Sequence, residues 1–133
     1  MHATLKIHML LSGIIVGSII FQTGIIAPSI FKLLKEDNVK IILRHIFPRM
    51  FILLWTAGLL SFVCNVLLGV TSYIQYFVSA LSFLFPLICY LLVPSTNQAK
   101  DDGDNRKFSR LHQISVLLTM ILLVVNMLWS IFV

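Results

Sequence analysis

Four stretches of this sequence are apolar for long enough to cross a lipid bilayer, and short polar segments separate them. Hydrocarbon offers no partner to a backbone N–H or C=O, so each stretch has to be helical, with roughly 20 residues per crossing. The predicted spans cover about 5–34, 50–68, 72–93 and 109–133. They predict an all-α, polytopic integral membrane protein, a single four-transmembrane-helix bundle over residues 1–133. With 59% hydrophobic and 11% charged residues, the chain leaves nothing over for a soluble domain. The first apolar run, Ile7 to Ala27, exceeds the roughly 7–15 residues of a signal-peptide core and has no clear small-x-small cleavage site, so it reads as a membrane helix.

The net charge of +5 would fit a nucleic-acid binder, but the basic residues lie between the apolar runs and act there as topology signals. Lys32, Lys35, Lys40, Arg44 and Arg49 flank or fill the first connection, and Lys100, Arg106, Lys107 and Arg110 the third. The positive-inside rule then predicts charged loops 35–49 and 94–108 in the cytoplasm and both termini outside, in a membrane that for so short a chain suits the bacterial cytoplasmic one. The lipid bilayer is the expected partner, nucleic acid is not, and a homo-oligomer is possible by composition.

Local signals refine the outline. Pro28 predicts a kink or an interfacial segment near the end of span one. Asp37 and Asn38 can cap a short interfacial helix with Val39, Ile42 and Ile46 on one face, ending at Phe47 and Pro48. Spans two and three, joined without a charge, predict a tight hairpin. The run PSTNQAKDDGDNRK from Pro94 predicts a solvated loop, with Ser109 as N-cap of the last span.

Sorted by helical face, the spans show polar seams. The fourth aligns His112, Ser115, Thr119, Asn126 and Ser130. Gln75, Ser79, Ser82, Pro86 and Cys89 follow a packing-seam spacing on the third, and the second offers Gly58, Ser61, Asn65 and Gly69. On the first, Gly13, Gly17 and Gly24 form a small-residue ridge opposite His8, Ser12 and Gln22. Gly13 and Gly17 make a GxxxG pair suited to close helix packing. One reading takes the seams as ordinary helix packing, at about 0.6 kcal/mol per polar contact. The other takes them as an interior site lined by His112, Asn126, Asn65 and Gln75 for a polar ligand, water or cofactor edge.

No span carries Asp or Glu, which argues against a carboxylate proton relay. Cys64 and Cys89 lack CxxC spacing, so neither a disulfide framework nor a zinc site is expected. His8 falls near the outer end of span one, while His45 and His112 fall at the cytoplasmic ends of spans two and four. About 20 residues of helix put His8 and His112 on the order of 30 Å apart, too far for one iron. His45 and His112 can share a surface site as haem or transition-metal ligands, or each can simply sit at the interface bonded to backbone or headgroup. No phosphate loop, nucleophile elbow or HExxH is present.

LKIHMLLSGIIVGSIIFQTGIIAPSIFKLL, then RHIFPRMF, the VPS after span three and FSRLHQIS opening span four together resemble the transmembrane protein 205-like family of small four-helix membrane proteins, related to a bacterial domain of unknown function. The resemblance runs over essentially the whole chain. Its motif positions fall on His8, Gly13, Phe47, Pro48, Pro94, Phe108, His112 and Ser115. Where that family commonly has an asparagine two turns after the fourth-span histidine, this chain has Thr119. The resemblance implies a membrane protein without an agreed activity. A more distant similarity links the histidine-bearing first span and the four-helix layout to HemJ-type protoporphyrinogen oxidases and CopD-type copper-resistance domains.

The expected function is therefore a non-enzymatic bundle, with no cofactor predicted, assembling through the glycine ridge. The alternatives are a haem- or metal-binding redox protein using His112, His45 or His8, and a solute binder or transporter working as an oligomer.

Overall fold

A computed structural model describes residues 2–133 as helices joined by short turns. The first crossing comprises α1 (His2–Phe21), a π-helical segment (Gln22–Ile26) and α2 (Ala27–Leu33); then come α3 (Glu36–Leu67), α4 (Tyr73–Asp101) and α5 (Asn105–Phe132). Four of the helical units are long and apolar enough to cross a membrane. Each crossing runs antiparallel to its neighbours in sequence, and α1 closes the ring by packing between α3 and α5. Large apolar side chains cover the outside, among them Leu10, Leu60, Phe77, Leu91 and Ile131, as a lipid-facing surface requires. Inside, Leu11, Ile15, Ile19, Leu54, Ala57 and Leu122 form the central apolar core.

The helices outlast the predicted spans. α3 does not break at Pro48, nor α4 at Pro94. Proline removes one backbone donor and crowds the carbonyl four residues earlier, yet both helices run on, and ion pairs join them beyond the prolines. Arg44 holds Asp101 by two bonds, at 2.7 and 3.1 Å, and reaches the Asn97 carbonyl at 3.2 Å, while Lys40 Nζ lies 2.7 Å from the same carboxylate. The expected loop over 94–107 is thus helical to Asp101, with a tight turn beyond it. Asp104, not Ser109, caps α5 by accepting from the Lys107 N–H at 3.1 Å. Similarly Lys35 is the N-cap of α3, without a side-chain cap bond, and Asp37 lies in its first turn.

Gly69 and Gly103, with φ of 63° and 72°, make the two tight turns possible. Gly69 therefore belongs to a turn and not to the seam of span two. Around it the Val70 N–H bonds the Asn65 carbonyl at 3.0 Å and the Gly69 N–H that of Val66 at 3.3 Å, a Schellman closure.

At Pro28 the helix widens instead of breaking. The Ala27 N–H reaches back five residues to the Gln22 carbonyl, and the wide turn takes up the missing proline donor.

Candidate functional site

The glycine pattern sorts into two groups. Gly58 faces inward, and a Cβ there would fall on the Ser82 carbonyl and the Phe83 nitrogen, so α3 and α4 touch backbone to backbone at that point. Gly13, Gly17 and Gly24 are exposed and an added Cβ on any of them would meet nothing within 4 Å. The ridge is not used within the bundle.

Polar side chains converge at the end of the bundle that carries the chain termini and the Gly69 turn. Asn65 is central there. Its Nδ2 donates to the Gln75 carbonyl and to Ser79 Oγ, each at 3.2 Å, and its carbonyl accepts from Tyr76 Oη at 3.0 Å. The His8 imidazole faces the Asn65 side chain and packs on the Trp129 ring with centroids 4.9 Å apart. One turn deeper, Asn126 Nδ2 donates to Ser82 Oγ and to the Leu122 carbonyl, both at 3.0 Å. His8, Ser12, Ser61, Asn65, Gln75, Ser79, Ser82 and Asn126 are all at most 5% exposed.

This cluster is incompletely bonded. His8 Nδ1, Ser12 Oγ, Ser61 Oγ, Asn126 Oδ1 and Trp129 Nε1 are buried without a hydrogen-bond partner among the described residues. Each such atom costs about 1–3 kcal/mol if nothing meets it. A cleft of about 520 Å³ opens directly above, walled by Leu5, Leu68 and Thr71 and floored by Gln75 and Trp129. Below the cluster Ile15, Ile19, Leu54 and Leu122 close the bundle. Among the described side chains the arrangement offers hydroxyl, amide, indole and imidazole groups and no carboxylate or ammonium, which suits an uncharged polar guest approaching from one side.

The structure separates the residues that face-sorting had grouped with this seam. Asn65 bonds the Gln75 carbonyl and Asn126 bonds Ser82 on the same helix as Gln75, but His112 lies at the opposite end of α5, exposed and stacked on Phe108 at 5.7 Å. Lys100 Nζ sits 4.9 Å above the other partner of that stack, the Phe108 ring. His45 is exposed beside Arg49, whose Nη1 lies 3.1 Å from its Nδ1. Ser115 and Thr119 bond within their own helix, Thr119 Oγ1 donating to the Ser115 carbonyl at 2.7 Å, and Cys89 Sγ reaches the same carbonyl at 3.7 Å. Phe47 packs on the core near Phe51, rings 6.2 Å apart, while Pro94 is exposed on α4. Among the described residues no three His, Cys, Asp or Glu side chains gather as a metal site. Trp129 was missed in the sequence; its spacing of three after Asn126, on the same face, was the available signal.

Residues 10–105, which make up 96 of the 133 residues, match the family described as a domain of unknown function, DUF4149. The chain belongs to this family. The DUF4149 match takes in α1 from Leu10 onward, the π segment, α2, α3 and α4, and so includes Asn65, Gln75, Gly58 and the ridge glycines. His8, Asn126 and Trp129 lie outside it. No curated protein and no solved structure matches the chain.

Proposed function

We propose that this DUF4149 protein is a non-enzymatic bundle of the transmembrane protein 205-like type that binds a small uncharged polar molecule in the cleft at its terminal end. The observation that carries the reading is the set of buried, unpartnered polar atoms behind the cleft floor, His8 Nδ1 and Trp129 Nε1 foremost. Polar groups inside a membrane protein are expensive to bury and mark ligand or ion paths. Of these residues Trp129 lines a concave opening wide enough for a guest of several heavy atoms, and the others lie buried behind it. A hydroxyl or amide compound would accept from the indole and exchange hydrogen bonds with the imidazole. The apolar layer of Ile15, Ile19, Leu54 and Leu122 favours binding over passage.

Basic residues at the opposite end favour an orientation with the termini and cleft outside a bacterial cytoplasmic membrane and the charged segments inside. The haem reading shared with HemJ-type proteins has less support, because His8, His45 and His112 are not gathered at one place. Thermal unfolding of the detergent-purified chain against a panel of short polyols, simple amides and monosaccharides tests the binding reading. Stabilisation by one of these classes, abolished in Trp129→Phe, is expected. No stabilisation by any of them, with Trp129→Phe as stable as wild type, would end it.

A second reading, self-association, rests on the outward orientation of Gly13, Gly17 and Gly24. Small residues on an exposed helix let a second helix approach closely in lipid. Gly17→Leu is expected to weaken dimers measured by energy transfer between labelled copies in vesicles, and unchanged transfer would discard it.

A further inference from the structure

A second opening lies near the middle of α3, between that helix and the π-helical segment. It is a groove of about 390 Å³ with Phe21, Ile26, Ile46 and Leu53 along its walls and Gln22 and Arg49 as its main polar features. Gln22 is 5% exposed, and its Nε2 has no hydrogen-bond partner among the described residues. Buried primary amides are nearly always bonded, so a donor left open on a groove wall calls for an acceptor from outside the chain. The π turn that carries Gln22 is the kind of local distortion found often at functional sites.

Arg49 lies at the mouth. It is exposed, and among the described residues no carboxylate pairs with it: Lys40 and Arg44 take Asp101, and Arg49 bonds the His45 ring and carbonyl through Nη1. The rest of its fork remains available. His8 meets Asn65 near the other end of the antiparallel α1–α3 pair. Counting from that contact, Gln22 lies level with Phe51, so it sits only ~3 Å deeper in the bilayer than Arg49.

An apolar channel, a neutral donor just beneath the interface and an unpaired cation above it match, in that order, an acyl chain, a glycerol-ester oxygen and a phosphate. We infer that this groove holds one anionic phospholipid, its phosphate on Arg49 and an ester oxygen on the Gln22 amide. The site is independent of the cleft that contains Trp129, with which it shares no lining residue.

Native mass spectrometry of the full detergent-purified chain, offered equal amounts of palmitoyl-oleoyl phosphatidylglycerol and phosphatidylcholine, tests the assignment. One retained phosphatidylglycerol is expected, preferred by roughly fivefold as one guanidinium near an anionic headgroup supplies. Arg49→Gln should bring that preference close to one, whereas Lys107→Gln should leave it in place. Gln22→Leu should weaken retention of both lipids equally, since both carry the ester. In the wild type alone, rising salt should erode the preference, a measurement that needs no variant to fold. Equal retention of the two lipids by the wild type, a preference that survives Arg49→Gln, or a second protein copy in place of lipid would each overturn the inference.

Discussion

Gly58→Ala adds a single methyl group at the point where α3 and α4 come closest. That methyl would land on the Ser82 carbonyl and the Phe83 nitrogen, which are backbone atoms of a continuous helix and cannot rotate away as a side chain would. Relief requires the two helices to separate locally. Separation would also disturb Ser82 Oγ, which donates to the Val78 carbonyl at 2.7 Å and accepts from Asn126 Nδ2 at 3.0 Å. Overpacking of this kind costs about 1–3 kcal/mol. With backbone on the receiving side we expect the upper part, ~2–3 kcal/mol, or roughly a 30- to 150-fold loss in folding constant. Reversible unfolding in mixed detergent–SDS micelles, followed by far-ultraviolet circular dichroism, measures it. Gly17→Ala is the matched control: its methyl meets open space, so stability should stay within ~0.5 kcal/mol or rise slightly through helix propensity. Equal stability of Gly58→Ala and wild type would refute the close approach on which the α3–α4 hairpin depends.

Asn65→Ala removes two donor bonds and should cost about 1 kcal/mol in the same assay, the range of interhelical polar contacts in lipid. The Asp101 carboxyl, beyond the membrane-spanning part of α4, is held down to about 2 by Arg44 and then Lys40. Because that value is depressed, whatever the pairs add is fully present above the ordinary carboxylate range and is lost as pH falls through about 2, so helix content should be flat at neutral pH and drop only in strong acid. Asp101→Asn should remove that acid-dependent step. Proteoliposomes should pass glycerol no faster than empty vesicles, since the apolar layer closes the bundle; faster flux would favour passage.

The crossings were legible because hydrocarbon imposes length and composition on any sequence that spans it. The helix ends were not: α3 runs through Pro48 and α4 to Asp101, where the two helices are joined by a contact between residues 57 apart, Arg44 with Asp101, which no local window contains. The glycine ridge illustrates a similar limit: GxxxG spacing says that a helix face permits close approach, and the fold decides whether a neighbour uses it. Of the candidate site, the burial of Asn65, Gln75 and Asn126 was legible from face and residue type. The place of His112 was not, because angular sorting ignores depth. Fourteen positions separate it from Asn126, which at 1.5 Å per residue is ~21 Å along the helix. The His8–Trp129 contact joins the first helix to the last, and neither residue's own surroundings in sequence announce the other.

The most direct measurement follows the two indole N–H resonances, Trp55 and Trp129, in nitrogen-15-labelled protein in micelles while the polar solutes are titrated. The account predicts that the Trp129 signal exchanges with water or solute through the cleft and shifts saturably on binding, while the Trp55 signal stays in place. A Trp129 signal that neither exchanges nor shifts would contradict it, leaving the terminal end of the bundle as packing alone.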